Sequence, residues 1–432
     1  MRMKRNIGIG LMGLGVVGGG VARVVLEKNR TLAEEIGCPL ALKKVLVRDR
    51  GKPRPVLVDS HLLSLDPQEI LADSEIDIVI EVIGGEHPAL EYTKEALLRG
   101  KHVVTANKEV IAKHGAELLK MAQERGVSIL YEASVGGGIP LLLPLHHGLL
   151  ANEITTMYAI INGTTNYILT RMSNEGVSFD VALKKAQELG YAEPDAANDI
   201  EGKDAAYKLA ILATVAFHTV VQPEDIYCQG ISRLCKQDFR YAKELGYEIK
   251  LLAIAKQGDG SIEVRVHPAF IPVEFLLAKV DGVYNAVQID GDLVGTLIFY
   301  GRGAGAQPTA SAIIADVIAT GRVICSEGKG SVRPRPPQRM PIRPVSELET
   351  RYYLRMGIAD RPGVLAQIAR VLGDHSISIA SVIQKEADEV TQTAEIVIMT
   401  HPAREQFMQQ SVSEMEGLSV VKEICNLIRV EE

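Results

Sequence analysis

The densest chemistry in the chain lies between Gly190 and Lys208, where Glu193, Asp195, Asp199, Asp204 and Lys208 crowd the start of an apolar helix. Asp204 and Lys208 stand four residues apart, so they share one helical face with each other. The same helix carries Leu209, Leu212 and Val215. One reading of the spacing is a surface ion pair, worth ~0.3–0.5 kcal/mol. The other is a lysine held by an acid so that it can protonate an oxyanion. Glu193 and Asp199, just upstream, suit the second reading, because an amino-acid substrate brings an ammonium group that needs a carboxylate partner.

A second group of residues can hold a cofactor. Gly13, Leu14, Gly15, Val16, Val17 and Gly18 form a Gly-x-Gly-x-x-Gly loop that follows an apolar run and opens an apolar helix. Its glycines allow a tight turn, close approach of a pyrophosphate and tight helix packing, while the helix N-terminus attracts phosphate. The next strand closes on Val47-Arg48-Asp49. Arg48 can hold a 2′-phosphate, which favours NADPH, or it is a surface charge and Asp49 takes the ribose hydroxyls. Lys108 follows a later strand, at the edge where such sheets bind ligands, and can approach a nicotinamide and a substrate oxygen, or it is a surface lysine at a helix start. The segment from Glu132 to Pro140 is too glycine-rich for a helix. It reads as a flexible turn or as a loop whose carbonyls hold a monovalent cation. His146 and His147 follow an apolar run with no acid or cysteine at ligand spacing, and read as core or interface residues rather than metal ligands.

Alternating elements must position these groups. Residues 6–12, 43–49, 76–83, 102–105 and 128–131 read as strands, with helices at 16–26 and 91–99. The alternation predicts an α/β domain with a Rossmann-type parallel sheet over residues 1–150. Helices at 180–189, 203–217 and 240–245 then mix with strands at 249–255 and 262–267, predicting an α+β catalytic and dimerisation domain over 151–300. Residues 326–350 contain the run from Arg333 to Pro344, whose prolines block helix and strand and predict an extended linker. Residues 351–432 read strand, helix, strand, strand, helix, strand, which is a ferredoxin-like unit. With its own strands behind a proline-rich spacer, that unit is expected to fold without the rest, so truncation after residue 325 should spare catalysis.

Composition narrows the function. A chain of 432 residues has room for two or three domains. A net charge of -7 with no broad basic region argues against a nucleic-acid surface. Five scattered cysteines without a CxxC pair suggest a reducing, cytoplasmic setting. No run of about 20 apolar residues stands out, so a soluble protein with no membrane partner is expected.

Taken together, these residues resemble homoserine dehydrogenase, in the monofunctional form that carries a C-terminal ACT domain. The matching stretches are Gly13–Gly18, Val103-Val-Thr-Ala-Asn-Lys108, Glu132–Pro140, Asn162-Gly-Thr-Thr-Asn-Tyr167, Gly190–Lys208 and Gly303-Ala-Gly-Ala-Gln-Pro-Thr-Ala310. The resemblance implies that Lys208 is the proton donor, Glu193 the homoserine-binding acid, Asp204 an acid that orients the substrate and Lys108 a second active-site lysine. It makes Gly305 a cofactor contact, so residues 301–325 complete the first domain. It implies a monovalent cation such as Na⁺ on the main-chain carbonyls of Glu132, Val135, Gly137 and Ile139. The cation loop often reads Ala-Gly-Gly in the family, where this chain has Gly136-Gly-Gly138. The segment 351–432 becomes a regulatory ACT domain, which pairs with another copy and binds threonine or a related product. Ser376 stands where relatives often carry asparagine.

The expectation is therefore NAD(P)H-dependent reduction of L-aspartate 4-semialdehyde to L-homoserine, on the route to threonine, methionine and isoleucine. NADPH is the expected cofactor, with NADH as the alternative, and the assembly a homodimer or homotetramer. A dehydrogenase with an acyl intermediate needs an activated cysteine or serine, and no cysteine here lies in a glycine-rich catalytic turn. The rival outside enzymology is a non-catalytic sensor of NADPH and an amino acid. Such a protein has no use for two lysines beside an acid cluster.

Overall fold

The computed structural model describes residues 6–54, 56–326, 339–388 and 392–432. Two compact units divide them. The first lies within Met1–Thr155, Tyr207–Glu224 and Ile289–Met340, the second within Thr156–Ala206, Asp225–Gln288 and Pro341–Glu432.

In the first unit, six parallel strands run in the spatial order Leu63–Ser64, Leu40–Leu46, Ile7–Met12, Ile78–Glu81, His102–Thr105, Ile129–Leu130. This is the doubly wound order in which the chain steps outward from its first strand, then crosses back to that strand's other side. Every residue of Ile7–Met12 is buried, as a central parallel strand covered on both faces must be. The Leu63–Ser64 strand escapes sequence reading because two residues show no period. The second strand ends at Leu46, not at residue 49. Asp49 Oδ1 accepts from the Gly51 amide at 2.7 Å, and that local turn stops the extended run.

The helix Ala306–Cys325 also belongs to this unit. Ala310, Ile313 and Val317 lie fully buried in one core with Ile7, Ile9 and Val21. A Cβ on Gly20, in the helix Val16–Glu27, would sit 2.8 Å from the Ala306 carbonyl oxygen, so this glycine lets two backbones approach. Among the described residues, Ala306–Cys325 is the one helix long and apolar enough to cross a membrane. Its buried side chains account for that apolarity.

In the second unit, strands follow in the order Tyr284–Gly291, Ile154–Ile160, Tyr247–Gly258, Ser261–Pro272, Val421–Val430, Glu349–Ala359, Thr393–Thr400, Ile379–Asp388. The last four, with the helices Val364–Asp374 and Glu405–Glu416, give the expected ferredoxin-like arrangement. That region does not stand apart, however. Val421–Val430 runs parallel to Ser261–Pro272, pairing Ala269 with Arg429 and Phe270 with Val430. Phe270 stacks on Tyr353 with ring centroids 4.6 Å apart. The expectation of an independently folding C-terminal region is corrected by this shared sheet.

Of the proline-rich linker, residues 327–338 lie outside the described residues. Its far end is anchored, not a free spacer, and it turns into a short 3-10 helix at Val345–Glu347 rather than staying extended. Ile342 bridges Ile262, the Ile262 amide donates to Pro341 O at 3.0 Å, and Arg343 pairs with Glu263 at 2.6 Å.

Candidate functional site

Ligands of a doubly wound sheet bind at its carboxyl edge, beside the point where strand order reverses. Here that edge carries the loop Gly13–Gly18, after the strand Ile7–Met12. The three glycines of its motif have three different causes. Gly13 takes φ +103°, its amide donates to Leu46 O at 3.0 Å, and a Cβ would lie 2.8 Å from Val82 O. On Gly18 a Cβ would fall 2.0 Å from Gly13 O. On Gly15, the residue that precedes the helix Val16–Glu27, a Cβ would meet nothing within 4 Å. The fold itself requires Gly13 and Gly18. Gly15 leaves open space at a helix N-terminus with no acid in its first turn, which suits the close approach of a phosphate. Leu14 is buried, Val17 half-buried, and Val16 is exposed. Gly305, exposed and at φ +124°, precedes the helix Ala306–Cys325. Arg48 is exposed just past the second strand, while the Asp49 carboxylate is engaged by its own loop.

Lys108 is the first residue of the helix Lys108–Arg125, and a buried polar chain fixes that helix start. Glu81, at the end of its strand, accepts from Thr105 Oγ1 at 2.6 Å and from the Ile83 amide at 2.7 Å. Burial pushes the Glu81 carboxyl up, and these hydrogen bonds pull against it. Thr105 Oγ1 in turn accepts from the Asn107 amide at 2.9 Å. Asn107 donates to Gly85 O at 2.7 Å and caps the helix by accepting from the Val110 amide at 3.2 Å. One turn further, Lys113 binds Glu86 at 2.7 Å and Glu109 at 2.8 Å. Its ammonium lies 5.7 Å from the ring centre of Tyr207, the residue before Lys208. Lys208 itself is half-buried.

The acids lie in the second unit. Asp204 is buried and Asp199 half-buried. A single side chain joins them: Asn162 Nδ2 donates to Asp199 Oδ1 at 2.7 Å and to Asp204 Oδ2 at 2.8 Å. Asn162 Oδ1 accepts from the Thr165 amide at 2.8 Å and so caps the helix Gly163–Glu175. That helix also holds the neighbouring loop. Thr164 Oγ1 donates to Tyr191 O at 2.7 Å, and Tyr167 meets Tyr191 edge-on at 5.0 Å. Glu193, two residues on, is exposed. Asp195 accepts from the Ala197 amide at 3.1 Å and so belongs to a local turn.

The glycine loop at residues 132–139 is built tightly, which its composition conceals. Glu132, buried, accepts from the amides of Leu141, Leu142 and Leu143 at 2.6, 2.9 and 2.6 Å. Burial raises its carboxyl, and the three amides oppose that. The Glu132 amide donates to Asp316 Oδ2 at 2.9 Å, and burial pushes the Asp316 carboxyl up to about 8. Gly136 and Gly137 have φ +72° and +59°, and a Cβ on Gly137 would lie 2.5 Å from Gly303 O. The Glu132 carbonyl receives the Val135 amide at 3.4 Å. Among the described residues, no hydrogen bond reaches the carbonyls of Val135, Gly137 or Ile139, although all three residues are buried. Carbonyl oxygens without donors are what a hard cation takes as ligands. The reading as a flexible turn fails on this packing.

The first unit thus holds Gly13–Gly18, Arg48, Lys108, Lys208, Gly305 and the loop at 132–139; the second holds Glu193, Asp199 and Asp204. Sequence reading missed Asn162 as a bridge and Glu81 as the root of the Lys108 helix. An asparagine before Gly-Thr-Thr signals a cap, but its donor side leaves no local mark. His146 is held neutral mainly by burial, with His147 and His218 close by, and its imidazole falls to about 4. Among the described residues no group of three His, Cys, Asp or Glu side chains could hold a metal ion.

Three family models match this chain. Homoserine dehydrogenase covers residues 140–318, its NAD binding domain 13–132, and the ACT domain 352–406. A homoserine dehydrogenase of Neisseria gonorrhoeae is 41% identical over 432 residues, covering 99% of each chain. The crystal structure of a homoserine dehydrogenase from Thiobacillus denitrificans superposes with a TM-score of 0.91 at 43% identity, over 99% of this chain and 98% of that one. A hyperthermophilic archaeal homoserine dehydrogenase in complex with NADPH gives a TM-score of 0.62 at 29% identity, over 73% of this chain and 97% of that one. A parallel sheet with a dinucleotide loop, an acid cluster gathered by Asn162, and full-length similarity at this level agree: the chain belongs to the homoserine dehydrogenase family, a family of NAD(P)-dependent oxidoreductases.

Proposed function

We propose that this enzyme reduces L-aspartate 4-semialdehyde to L-homoserine with NADPH, and that Lys208, Lys108, Asp204, Glu193 and Asp199 carry the reaction. The observation that supports this most is the pair Asp199 and Asp204 held by Asn162, at the start of the helix Lys203–Ala216 that also carries Lys208. When bound, the nicotinamide supplies a hydride to the aldehyde carbon. Lys208 protonates the oxygen on which charge develops, and Lys108 stabilises that charge. Glu193 grips the substrate ammonium, and Asp199 and Asp204 orient the substrate. The cradle for the pyrophosphate is Gly13–Gly18 with Gly305. Arg48 takes the 2′-phosphate, which is favoured because Asp49 is occupied by its own turn.

Further assignments extend this reading. The carbonyls of Glu132, Val135, Gly137 and Ile139 hold a monovalent cation such as Na⁺, supported by the undonated carbonyls of Val135, Gly137 and Ile139 in a tight loop. Residues 1–150 with 301–325 form the cofactor domain and 151–300 the catalytic and dimerisation domain. Residues 351–432, after the linker 326–350, sense an amino acid such as threonine. The enzyme works in the cytoplasm as a homodimer or homotetramer. Replacing Glu193 by Gln tests the substrate site: the Michaelis constant for the semialdehyde rises while melting temperature holds, because an ion pair becomes a weaker neutral contact. An unchanged constant removes Glu193 from the site.

A further inference from the structure

We infer that Asn162 is a positioning residue for the reaction, holding Asp199 and Asp204 in one geometry through the two hydrogens of its amide. The inference rests on the substrate-site reading above.

The orientation of the amide is decided by its neighbours. Oδ1 faces the Thr165 amide at 2.8 Å, a group that can only donate, and also accepts from Thr165 Oγ1 at 3.0 Å. Nδ2 must therefore face the acids, and its two contacts of 2.7 and 2.8 Å are donations to carboxylate oxygens. All four hydrogen-bonding positions of the amide are then used. Asn162 and Asp204 are 6% and 5% exposed, so water is a poor substitute for these bonds.

A helix cap alone does not require this residue. Serine or threonine caps as well, using only an acceptor. What asparagine adds is a double donor, and both hydrogens go to acids 37 and 42 residues away in sequence. Two carboxylates brought this close repel each other, and a shared donor offsets that repulsion. Because one oxygen of each acid is tied to Asn162, each acid's remaining oxygen has a fixed direction. The rigid base is the helix Gly163–Glu175, whose first turn the same side chain closes. The arrangement lets one residue set the directions of two acids from a helix end.

The test uses the full-length enzyme and two substitutions that keep the cap, Asn162→Ser and Asn162→Asp. With Asn162→Ser, which keeps the cap, NADPH affinity should stay near wild type. The value of kcat/KM for the semialdehyde should fall about tenfold or more, as expected for losing charge-assisted hydrogen bonds. Asn162→Asp puts a third carboxylate among the two. At pH 8 it should be worse than Asn162→Ser, and the gap should narrow as pH falls, because the introduced carboxyl, once protonated, donates to a neighbour.

If Asn162→Ser melts early, the pH dependence of Asn162→Asp decides, and a pH-independent loss there overturns the inference. Wild-type kcat and KM in Asn162→Ser also overturn it. If in that case Glu193→Gln and Lys208→Ala are still impaired, the substrate-site reading stands and only the role of Asn162 falls. If all three variants behave as wild type, both fall.

Discussion

Arg355 Nε donates to Asp238 Oδ1 at 2.8 Å, and both side chains are buried. Arg355 lies on the first strand of the ferredoxin-like region; Asp238 lies in the first turn of the helix Lys236–Leu245, outside that region. The same carboxylate accepts from Tyr353 Oη at 3.2 Å, Asn426 Nδ2 at 2.9 Å and the Cys235 amide at 3.0 Å. Asp238→Ala leaves a buried guanidinium without this partner and should cost ~3–5 kcal/mol in a urea titration. Truncation after residue 325 should be worse, because it bares Phe270 and leaves Arg265 without Glu431. A truncated chain that is soluble and fully active would contradict the shared sheet.

The glycine loop gives a separation of stability from cofactor binding. Gly18→Ala drives a methyl onto Gly13 O and should destabilise the first unit by ~1–3 kcal/mol or more. Gly15→Ala meets nothing in the protein and should melt near wild type. Its methyl instead occupies the space assigned to the pyrophosphate, so NADPH should bind about 10–100-fold more weakly, as a similar steric cost implies. Calorimetric titration beside thermal melting checks both. Unchanged NADPH affinity in Gly15→Ala would move the cofactor away from this loop.

Acid stability should depend on the buried charges at the sheet junction. Burial, helped by Arg429 and Arg265, lowers the His267 imidazole to about 3. Arg265 Nε donates to His267 Nε2 at 3.2 Å, so that nitrogen carries the lone pair, and its 3.8 Å approach to Glu431 is not an ion pair. Burial alone would raise the Glu431 carboxyl, but Arg265 and Lys256 outweigh it and hold it at about 2. In the unfolded chain the imidazole takes a proton below about 6.5 and the carboxyl below about 4.5. Each group therefore makes the unfolded state bind more protons, and stability falls as pH drops through these windows, by at most ~1.4 kcal/mol per pH unit and group. His267→Gln should flatten the loss between pH 6.5 and 4.5. Urea midpoints that do not change from pH 7 to 4 in the wild type would contradict this.

What the sequence discloses follows the range of the interaction. Gly13 and Gly18 are legible because the positive φ of Gly13 and the approach of Gly18 to Gly13 O belong to one local turn, whereas the contact of Gly13 with Val82 O is not legible. The capping role of Asn107 and Asn162 is also local. The partners of Asn162 are not, since Asp199 and Asp204 are brought to it by folding. Nothing in the sequence around Arg265 and Glu431 marks them as buried, yet they are 3% exposed each, because Val421–Val430 covers Ser261–Pro272. No period in either strand reports a partner some 160 residues away. The segment Glu132–Pro140 shows the opposite failure: its glycines suggest freedom, whereas Gly136, Gly137 and Gly138 are there because neighbours leave no room for a Cβ.

The central claim is that Lys208 delivers the proton. Lys208→Ala should bind NADPH nearly as the wild type does, since the proposed cradle is Gly13–Gly18. Its turnover of L-aspartate 4-semialdehyde, followed by NADPH absorbance, should fall roughly 10²–10⁴-fold, the usual contribution of a placed general acid. Turnover at the wild-type rate would contradict the account.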